Sequence, residues 1–368
     1  MRVHSDRQVH SDMGVHRDAA LDIAKAIAIT AIVFGHVWRG LATSGLIHDA
    51  DLFETVDTTV YMWHLTVFAF TAGLFVQHGM HREGAWRYAR DRDLVFLWLY
   101  VLWSLIQGAV KLLAGSFVNS QTSVSEILRL WVPDGQLWFF GWIALMMILA
   151  AATRAWVSRS RATVVIAAAA VGSLAVWGVQ GPYLGTQGLA LTAYFVVALV
   201  WRGDRVTAAI RRVPMWLTAV VVVVLGIITV VCGVSGIATT PTIGGSTRTI
   251  LTVAFGVVAS TAGLFAVLGL SRLLAPVPIV ARPFSYIGRE SMTIFVAHII
   301  FASGSRIILS RIGVDDLAVQ AIAGTLIGVV GPLALHWVAL RVHCGWLFDA
   351  PRWVITAVSP RPSKNTGR

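Results

Sequence analysis

Long apolar blocks alternate with short polar segments along most of this chain. Blocks such as 164–176 and 216–231 approach the roughly 20 residues that a helix needs to cross a bilayer. The pattern predicts ten membrane-spanning helices and therefore an all-α, polytopic helical bundle. We place them at about 20–39, 57–77, 93–112, 136–153, 162–179, 184–201, 214–232, 249–271, 287–308 and 318–340.

The composition supports a membrane protein. Hydrophobic residues make up 57% of the 368 residues and charged residues only 13%, whereas soluble domains carry about 25% charged residues. No predicted loop is long enough to hold a soluble domain. The chain divides into an N-terminal tail (1–19), a ten-helix membrane domain (20–341) and a C-terminal tail (342–368).

The net charge of +11 reflects topology rather than nucleic-acid binding. An even number of spans puts both termini on one side, and most of the lysines and arginines fall on that side. Since cytoplasmic loops collect these residues, we expect a multi-pass protein of the cell membrane with both termini in the cytoplasm. Its partners would include membrane lipids. No basic patch interleaved with aromatic residues points to nucleic acid.

The N-terminal tail and the two cysteines are not predicted to form a functional site. The N-terminal tail repeats a hexad, VHSDRQ, VHSDMG and VHRDAA. Its histidines and aspartates could bind a metal, but nothing fixes their geometry, so a disordered tail without a metal is favoured. Cys232 and Cys344 fall near the ends of two different predicted helices, on opposite membrane faces, and are expected to remain reduced.

The first span carries three ionisable residues. Asp22 and Lys25 are three positions apart and can pair on one face of a helix. His36 lies about 16 Å further along the same face. A buried aspartate or lysine costs roughly 2.5–3.5 kcal/mol at a helix centre, so this polar stripe is a candidate site. Histidine is the usual proton-transfer group at neutral pH.

Later spans add further candidates. His64 lies in the second span at a depth similar to His36, followed by the small residues 71–73 that permit close helix contact. The ninth span places Ser291 and His298 two turns apart on one face, after a break at Gly288. Trp138 opens the fourth span, where an interfacial or packing role is the alternative to substrate contact.

Together these motifs resemble the acyltransferase 3 family of integral membrane O-acyltransferases, and within it the fucose 4-O-acetylase-like branch. The family's first helix reads roughly D-x-x-(R/K)-G-x-x-I-x-x-V-x-x-G-H, which Asp22, Lys25, Gly35 and His36 match. Its second helix motif is matched by His64, and the segments LWFF (137–140) and YIGRESMTIFVAHIIF (286–301) resemble two further motifs. An R-x-x-R pair, Arg87 and Arg90, precedes the third span.

The resemblance implies transfer of an acyl group, often acetyl, from acyl-CoA to a hydroxyl of a sugar, a polysaccharide or lipid-linked precursor, or a macrolide. It implies no bound cofactor, and acyl-CoA is the donor substrate. His36 would act as general base or in an acyl relay, with His64 beside it, and Asp22 would orient Lys25.

The remaining assignments concern the substrates. Arg87, Arg90 and Arg92 would bind the donor phosphates, and Trp138, Ser291 and His298 would contact substrate. A proton-coupled transporter is the main alternative, since intramembrane His, Asp and Lys also suit one. A non-catalytic assembly or sensor protein is a second alternative.

Overall fold

The computed structural model describes residues 18–115, 122–243 and 248–357, and all regular secondary structure in these ranges is helical. The prediction of an all-α bundle is confirmed. The repeated hexads up to residue 17 lie outside the described residues. The helices are Ala19–Thr43 (α1), Ala50–Tyr61 (α2), His64–Glu83 (α3), Ala85–Ala114 (α4), Val124–Ile127 (α5), Trp138–Thr153 (α6), Arg159–Ala175 (α7), Thr192–Trp201 (α8), Gly203–Arg212 (α9), Met215–Val234 (α10), Ile250–Leu274 (α11), Pro278–Arg289 (α12), Ser291–Arg311 (α13), Leu317–Arg341 (α14) and Arg352–Ala357 (α15).

Within the described ranges, eight helical segments are long and apolar enough to cross a membrane, with α2 and α3 forming one 34-residue segment. The other two predicted spans correspond to shorter helices. The fifth is α7, which has 17 residues and two arginines in its first turn. The sixth is a 3₁₀ turn at Leu189–Leu191 followed by the ten residues of α8.

Helix α1 lies at the centre of the bundle and packs against α2, α3, α11, α12, α13 and α14. Its apolar residues are buried around the whole circumference, including Ile23, Ala24, Ile32 and Val33. By contrast, only 22% of the most hydrophobic stretch of α10, the most apolar span, is buried in the protein. Such exposure is expected of a helix that faces lipid, whereas the polar stripe of α1 faces protein.

Two spans are broken close to the candidate residues. The second predicted span is interrupted at Met62–Trp63, so His64 is the first residue of α3. In the ninth, the sequence suggested a break at Gly288, but this residue lies in the last turn of α12 and α13 begins at Ser291. The breaks leave backbone groups near helix ends that side chains satisfy. The Ser260 hydroxyl, for example, donates to the Met62 carbonyl at 2.5 Å.

Glycines allow the closest helix contacts around α1 and α3. A Cβ at Gly73 would lie 2.4 Å from the carbonyl oxygen of Phe195 in α8. A Cβ at Gly288 would lie 1.8 Å from the carbonyl oxygen of Asp22 in α1. The predicted small-residue contact at 71–73 is therefore present, and α12 is held directly against the start of α1.

The loops that follow α7 and α10 are joined to each other at the end of the bundle away from the termini. The Gly178 amide donates to the Pro241 carbonyl at 3.0 Å, and the Trp177 indole donates to the Thr239 carbonyl at 2.7 Å. The Arg248 guanidinium donates to the carbonyls of Leu174, Ala175 and Trp177, where α7 ends. A cation at a helix C-terminus is favourable. These contacts hold the two loops, 176–188 and 235–243 with Arg248, together as one layer over this end of the bundle, and we call this layer the roof.

Candidate functional site

A polar cavity of about 300 Å3 lies beneath this roof. Its walls come from α1, from both sides of the break between α2 and α3, from the start of α6, from α13 and from the two joined loops. The polar and aromatic residues that line it are His36, Arg39, Tyr61, His64, Gln136, Trp138, Gln180, Gln187, Thr242 and Phe295. The volume is at the lower end of the range for ligand sites, so it suits a small ligand.

His36 lines this cavity, and His298 packs against His36 without lining the cavity itself. Their ring centroids are 5.2 Å apart. His298 is fully buried, and its Nδ1 lies 2.9 and 3.1 Å from the carbonyls of Phe295 and Ile294. Because carbonyls only accept, these contacts assign the proton to Nδ1 and leave Nε2 as an acceptor. The Nε2 atom has no hydrogen-bond partner among the described residues.

His64 contributes a second imidazole to the cavity wall. It is 1% exposed, and its Nδ1 lies 2.6 Å from the Val60 carbonyl, four residues before it. This contact crosses the break between α2 and α3 and again assigns the proton to Nδ1. The Tyr61 ring stands edge-on at 4.6 Å between centroids. The break thus turns His64 into the cavity and sets its tautomer.

A guanidinium group lies one turn beyond His36 on α1. Arg39 makes a bidentate ion pair with Asp57, with Nε–Oδ1 and Nη2–Oδ2 distances of 2.6 and 2.7 Å. Its guanidinium carbon also lies 3.7 Å from the centroid of the Tyr61 ring. Bidentate and stacked geometry of this kind is characteristic of arginine. Asp57 and Tyr61 therefore hold a fixed positive charge beside both histidines.

Three lining residues carry a polar atom without a partner. Among the described residues, Gln136 Oε1, Gln187 Oε1 and Thr242 Oγ1 are buried and accept no hydrogen bond. Gln136 precedes α6, whereas Gln187 and Thr242 come from the two joined loops. Trp138 is half-buried on the same cavity, while Trp142 is fully buried in the core and has a packing role. Sequence reasoning did not find these glutamines or the threonine.

Asp22 and Lys25 are paired but lie away from the cavity. Their carboxylate and ammonium groups are 2.7 Å apart, as the three-residue spacing predicts. Lys25 is about 16 Å from His36 along α1 and does not line the cavity. Ser291 is the first residue of α13, about 10 Å along that helix from His298. The predicted polar stripe on α1 thus has an ion pair, Asp22 with Lys25, at one end and the cavity-lining His36 at the other.

The three arginines predicted to bind the donor lie at the start of α4, near the face of the bundle that carries the termini. Arg87 and Arg90 contact Asp91 at 3.9 and 2.7 Å, and Arg92 lies 5.3 Å from the centroid of the Tyr88 ring. Helix α3 separates them from His64 by about 30 Å. The structure therefore does not bring these arginines together with the histidines.

A comparison with protein families gives a match over residues 18–341, to the family described as acyltransferase domain. The chain belongs to the acyltransferase 3 family. The match covers the whole helical bundle from α1 to α14, so the cavity and all three histidines lie inside the acyltransferase domain. Neither the curated proteins nor the solved structures give a significant match to this chain.

Family membership identifies the protein as a multi-pass membrane acyltransferase, and it gives the transporter alternative no support. It does not identify the branch of the family. Although three histidines are near one another, no group of three or more His, Cys, Asp or Glu among the described residues is arranged to hold a metal ion.

Some site residues escaped sequence reasoning for identifiable reasons. Arg39 falls at the end of the first predicted span (20–39), whereas α1 continues to Thr43. Its spacing of three from His36 was a usable signal for a shared helix face. Asp57 and Tyr61 precede a helix break that hydropathy does not reveal. Gln187 and Thr242 lie in loops and had no local signal.

Proposed function

We propose that the protein transfers an acyl group, in particular acetyl, from acyl-CoA to a hydroxyl group of a sugar or of a polysaccharide or glycolipid precursor. The observation that carries this proposal is that His36, His64 and the fixed Arg39 guanidinium line one polar cavity, with His298 packed against His36. Acyl transfer needs a base for the hydroxyl and positive charge for the developing oxyanion, and these residues can supply both.

His36 is the base in this proposal. It lines the cavity and makes no hydrogen bond to the described residues, so its ring nitrogens are available to a substrate. The acceptor oxygen attacks the thioester carbonyl carbon while His36 takes the hydroxyl proton. The C–S bond then breaks, and the imidazolium returns the proton to the departing CoA thiolate. The products are an ester and CoA.

His298 and Arg39 support this step. The centroid of the His298 ring lies 5.2 Å from that of His36, and its unprotonated Nε2 would stabilise the imidazolium, in the way that a third group orients a catalytic base. The Nε and Nη2 atoms of Arg39 are engaged by Asp57, which leaves Nη1 to donate to the oxyanion of the tetrahedral intermediate. His64 offers its Nε2 lone pair as a second acceptor in the cavity.

The donor reaches this site from the opposite face of the membrane. With both termini in the cytoplasm of a cell-membrane protein, Arg87, Arg90 and Arg92 face the cytoplasm and bind the phosphates of CoA. The pantetheine arm then extends past Lys25 toward His36, and the last part of this path, from Lys25 to His36, is a rise of about 16 Å along α1. The acceptor enters the cavity from the outer side.

The direct test uses purified protein in lipid nanodiscs with radiolabelled acetyl-CoA and a panel of hydroxylated acceptors. Covalent label in an acceptor supports the proposal, whereas a transporter moves a substrate without modifying it. We expect His36→Ala to lower kcat by about 10²- to 10⁴-fold, the range for loss of a general base. His48→Ala is the matched control, because His48 is exposed in the loop after α1. A folded His36→Ala protein with full transfer would refute the assignment.

A further inference from the structure

Unpartnered polar atoms in residues that line the cavity suggest how the acceptor is selected. Buried polar groups are nearly always hydrogen-bonded, and each exception calls for an explanation. Gln136, Gln187 and Thr242 all present such an exception, and all three line the cavity next to His36. They come from three different segments of the chain, so a single local distortion does not account for them.

The surroundings of each residue show that it is held in place. The Gln136 amide nitrogen lies 3.5 Å from the Phe295 carbonyl, so its oxygen is the unsatisfied end. Thr242 is 4% exposed, and its neighbour Thr240 donates to the Ile243 carbonyl at 2.6 Å. Gln187 follows Thr186, whose hydroxyl donates to the Tyr183 carbonyl at 2.7 Å. These contacts order the segments, and the three polar atoms have no hydrogen-bond partner among the described residues.

The chemistry of these atoms indicates what the ligand presents. Two are amide oxygens, which only accept, and the third is a hydroxyl, which accepts or donates. A ligand that satisfies them must bring several donors at different positions, as the hydroxyl groups of one ring do. Among the described residues that line the cavity, only Arg39 carries a full charge, and Asp57 is its counter-ion, so an uncharged ligand complements the site.

We propose that Gln136, Gln187 and Thr242 form a subsite that reads the non-reacting hydroxyls of a neutral, single-ring acceptor, with Trp138 as the apolar wall. The proposal rests on the proposed function and assigns it three specificity-determining residues. An acceptor bound in this way places one remaining hydroxyl at His36. A macrolide is too large for a cavity of about 300 Å3.

The test measures binding without the donor, so that it is independent of acyl transfer. Neutral methyl hexopyranosides, their monodeoxy analogues and cyclohexylmethanol are titrated against the nanodisc-embedded protein by saturation-transfer NMR. We expect at least one glycoside to bind, and cyclohexylmethanol to bind more weakly. Removing the hydroxyl that contacts one of the three residues should raise Kd about 3- to 10-fold, the scale of one neutral hydrogen bond.

Variants locate the contacts. Gln136→Leu, Gln187→Leu and Thr242→Val remove the polar atom at similar volume and should each weaken binding by the same factor. In each variant the penalty for one particular deoxy analogue should disappear, which is the signature of direct coupling. Gln77→Leu and Thr66→Val are matched controls, because Gln77 Oε1 and Thr66 Oγ1 are also unpartnered but lie outside the cavity.

The outcomes separate this inference from the proposed function. If no glycoside binds, if cyclohexylmethanol binds as well as the glycosides, or if the three variants behave like the controls, the subsite does not exist. Binding with the expected variant pattern but without transfer of label upholds the subsite and refutes the acyltransfer chemistry at His36. If Thr242→Val fails to fold, Thr242→Ser and the deoxy series on the unmodified protein give the same decision.

Discussion

The ion pair between Arg39 and Asp57 gives the sharpest quantitative prediction. Asp57→Asn keeps the shape of the side chain but replaces one accepting oxygen with a donating amide. One of the two charge-assisted hydrogen bonds, at 2.6 and 2.7 Å, is then lost, and the guanidinium is no longer fixed over the Tyr61 ring. Arg39→Met removes the charge and keeps most of the apolar stem.

The magnitude follows from the burial of the pair. The side chains of Arg39 and Asp57 are 32% and 14% exposed. Breaking a fully buried pair costs about 3–5 kcal/mol, whereas an exposed pair contributes about 0–1 kcal/mol. An intermediate loss of about 2 kcal/mol is therefore expected for Asp57→Asn. In the Arg39→Met background the same change should cost less than about 0.5 kcal/mol, because its partner is absent.

Two measurements test this cycle. The free energy of unfolding in mixed detergent micelles is compared for the wild type, both single variants and the double variant. Acyl transfer is measured in parallel, and kcat should fall about 10²- to 10³-fold in Arg39→Met, as for the loss of an oxyanion donor. Additive free energies of unfolding would show that the ion pair does not stabilise the fold. An unchanged kcat in Arg39→Met would show that the guanidinium does not serve the reaction.

Two further predictions concern packing and topology. Gly288→Ala should destabilise the protein by about 1–3 kcal/mol, as other overpacked substitutions do, because the added Cβ meets the backbone of Asp22. Gly304→Ala is the control, because a Cβ there meets nothing within 4 Å. It should leave the free energy of unfolding nearly unchanged in the same thermal scan. In a Cys232→Ser background, an impermeant maleimide should label Cys344 in inverted membrane vesicles only, and labelling in right-side-out vesicles would reverse the predicted orientation.

The sequence was sufficient for the features that depend on local periodicity. Asp22 and Lys25 pair as their spacing predicts, because neighbours three apart on a helix necessarily share a face. His36 and His64 line one cavity, since both sit at a similar depth in adjacent antiparallel spans. The helical class follows from hydropathy alone, because unsatisfied backbone groups exclude most other structures from a bilayer.

Features created by long-range contacts were not predictable in this way. The roof depends on the Gly178–Pro241 hydrogen bond and on Arg248, whose partners in and after α7 lie more than 70 residues earlier in the chain. No local pattern marks such pairs, so the positions of Gln187 and Thr242 could not be inferred.

The ionisable groups on the central stripe and around the cavity can be ordered by how each one is compensated. Lys25 is compensated by Asp22 and Arg39 by Asp57, while His64 and His298 donate to backbone carbonyls. His36 is the exception, since it makes no hydrogen bond to the described residues although it stands among the others. A polar group kept in a membrane helix without such compensation is costly, and a base must keep its lone pair free for the substrate. His36 lacks a hydrogen-bond partner, which is unfavourable for the fold. The same lack of a partner suits His36 to accept the proton of the substrate.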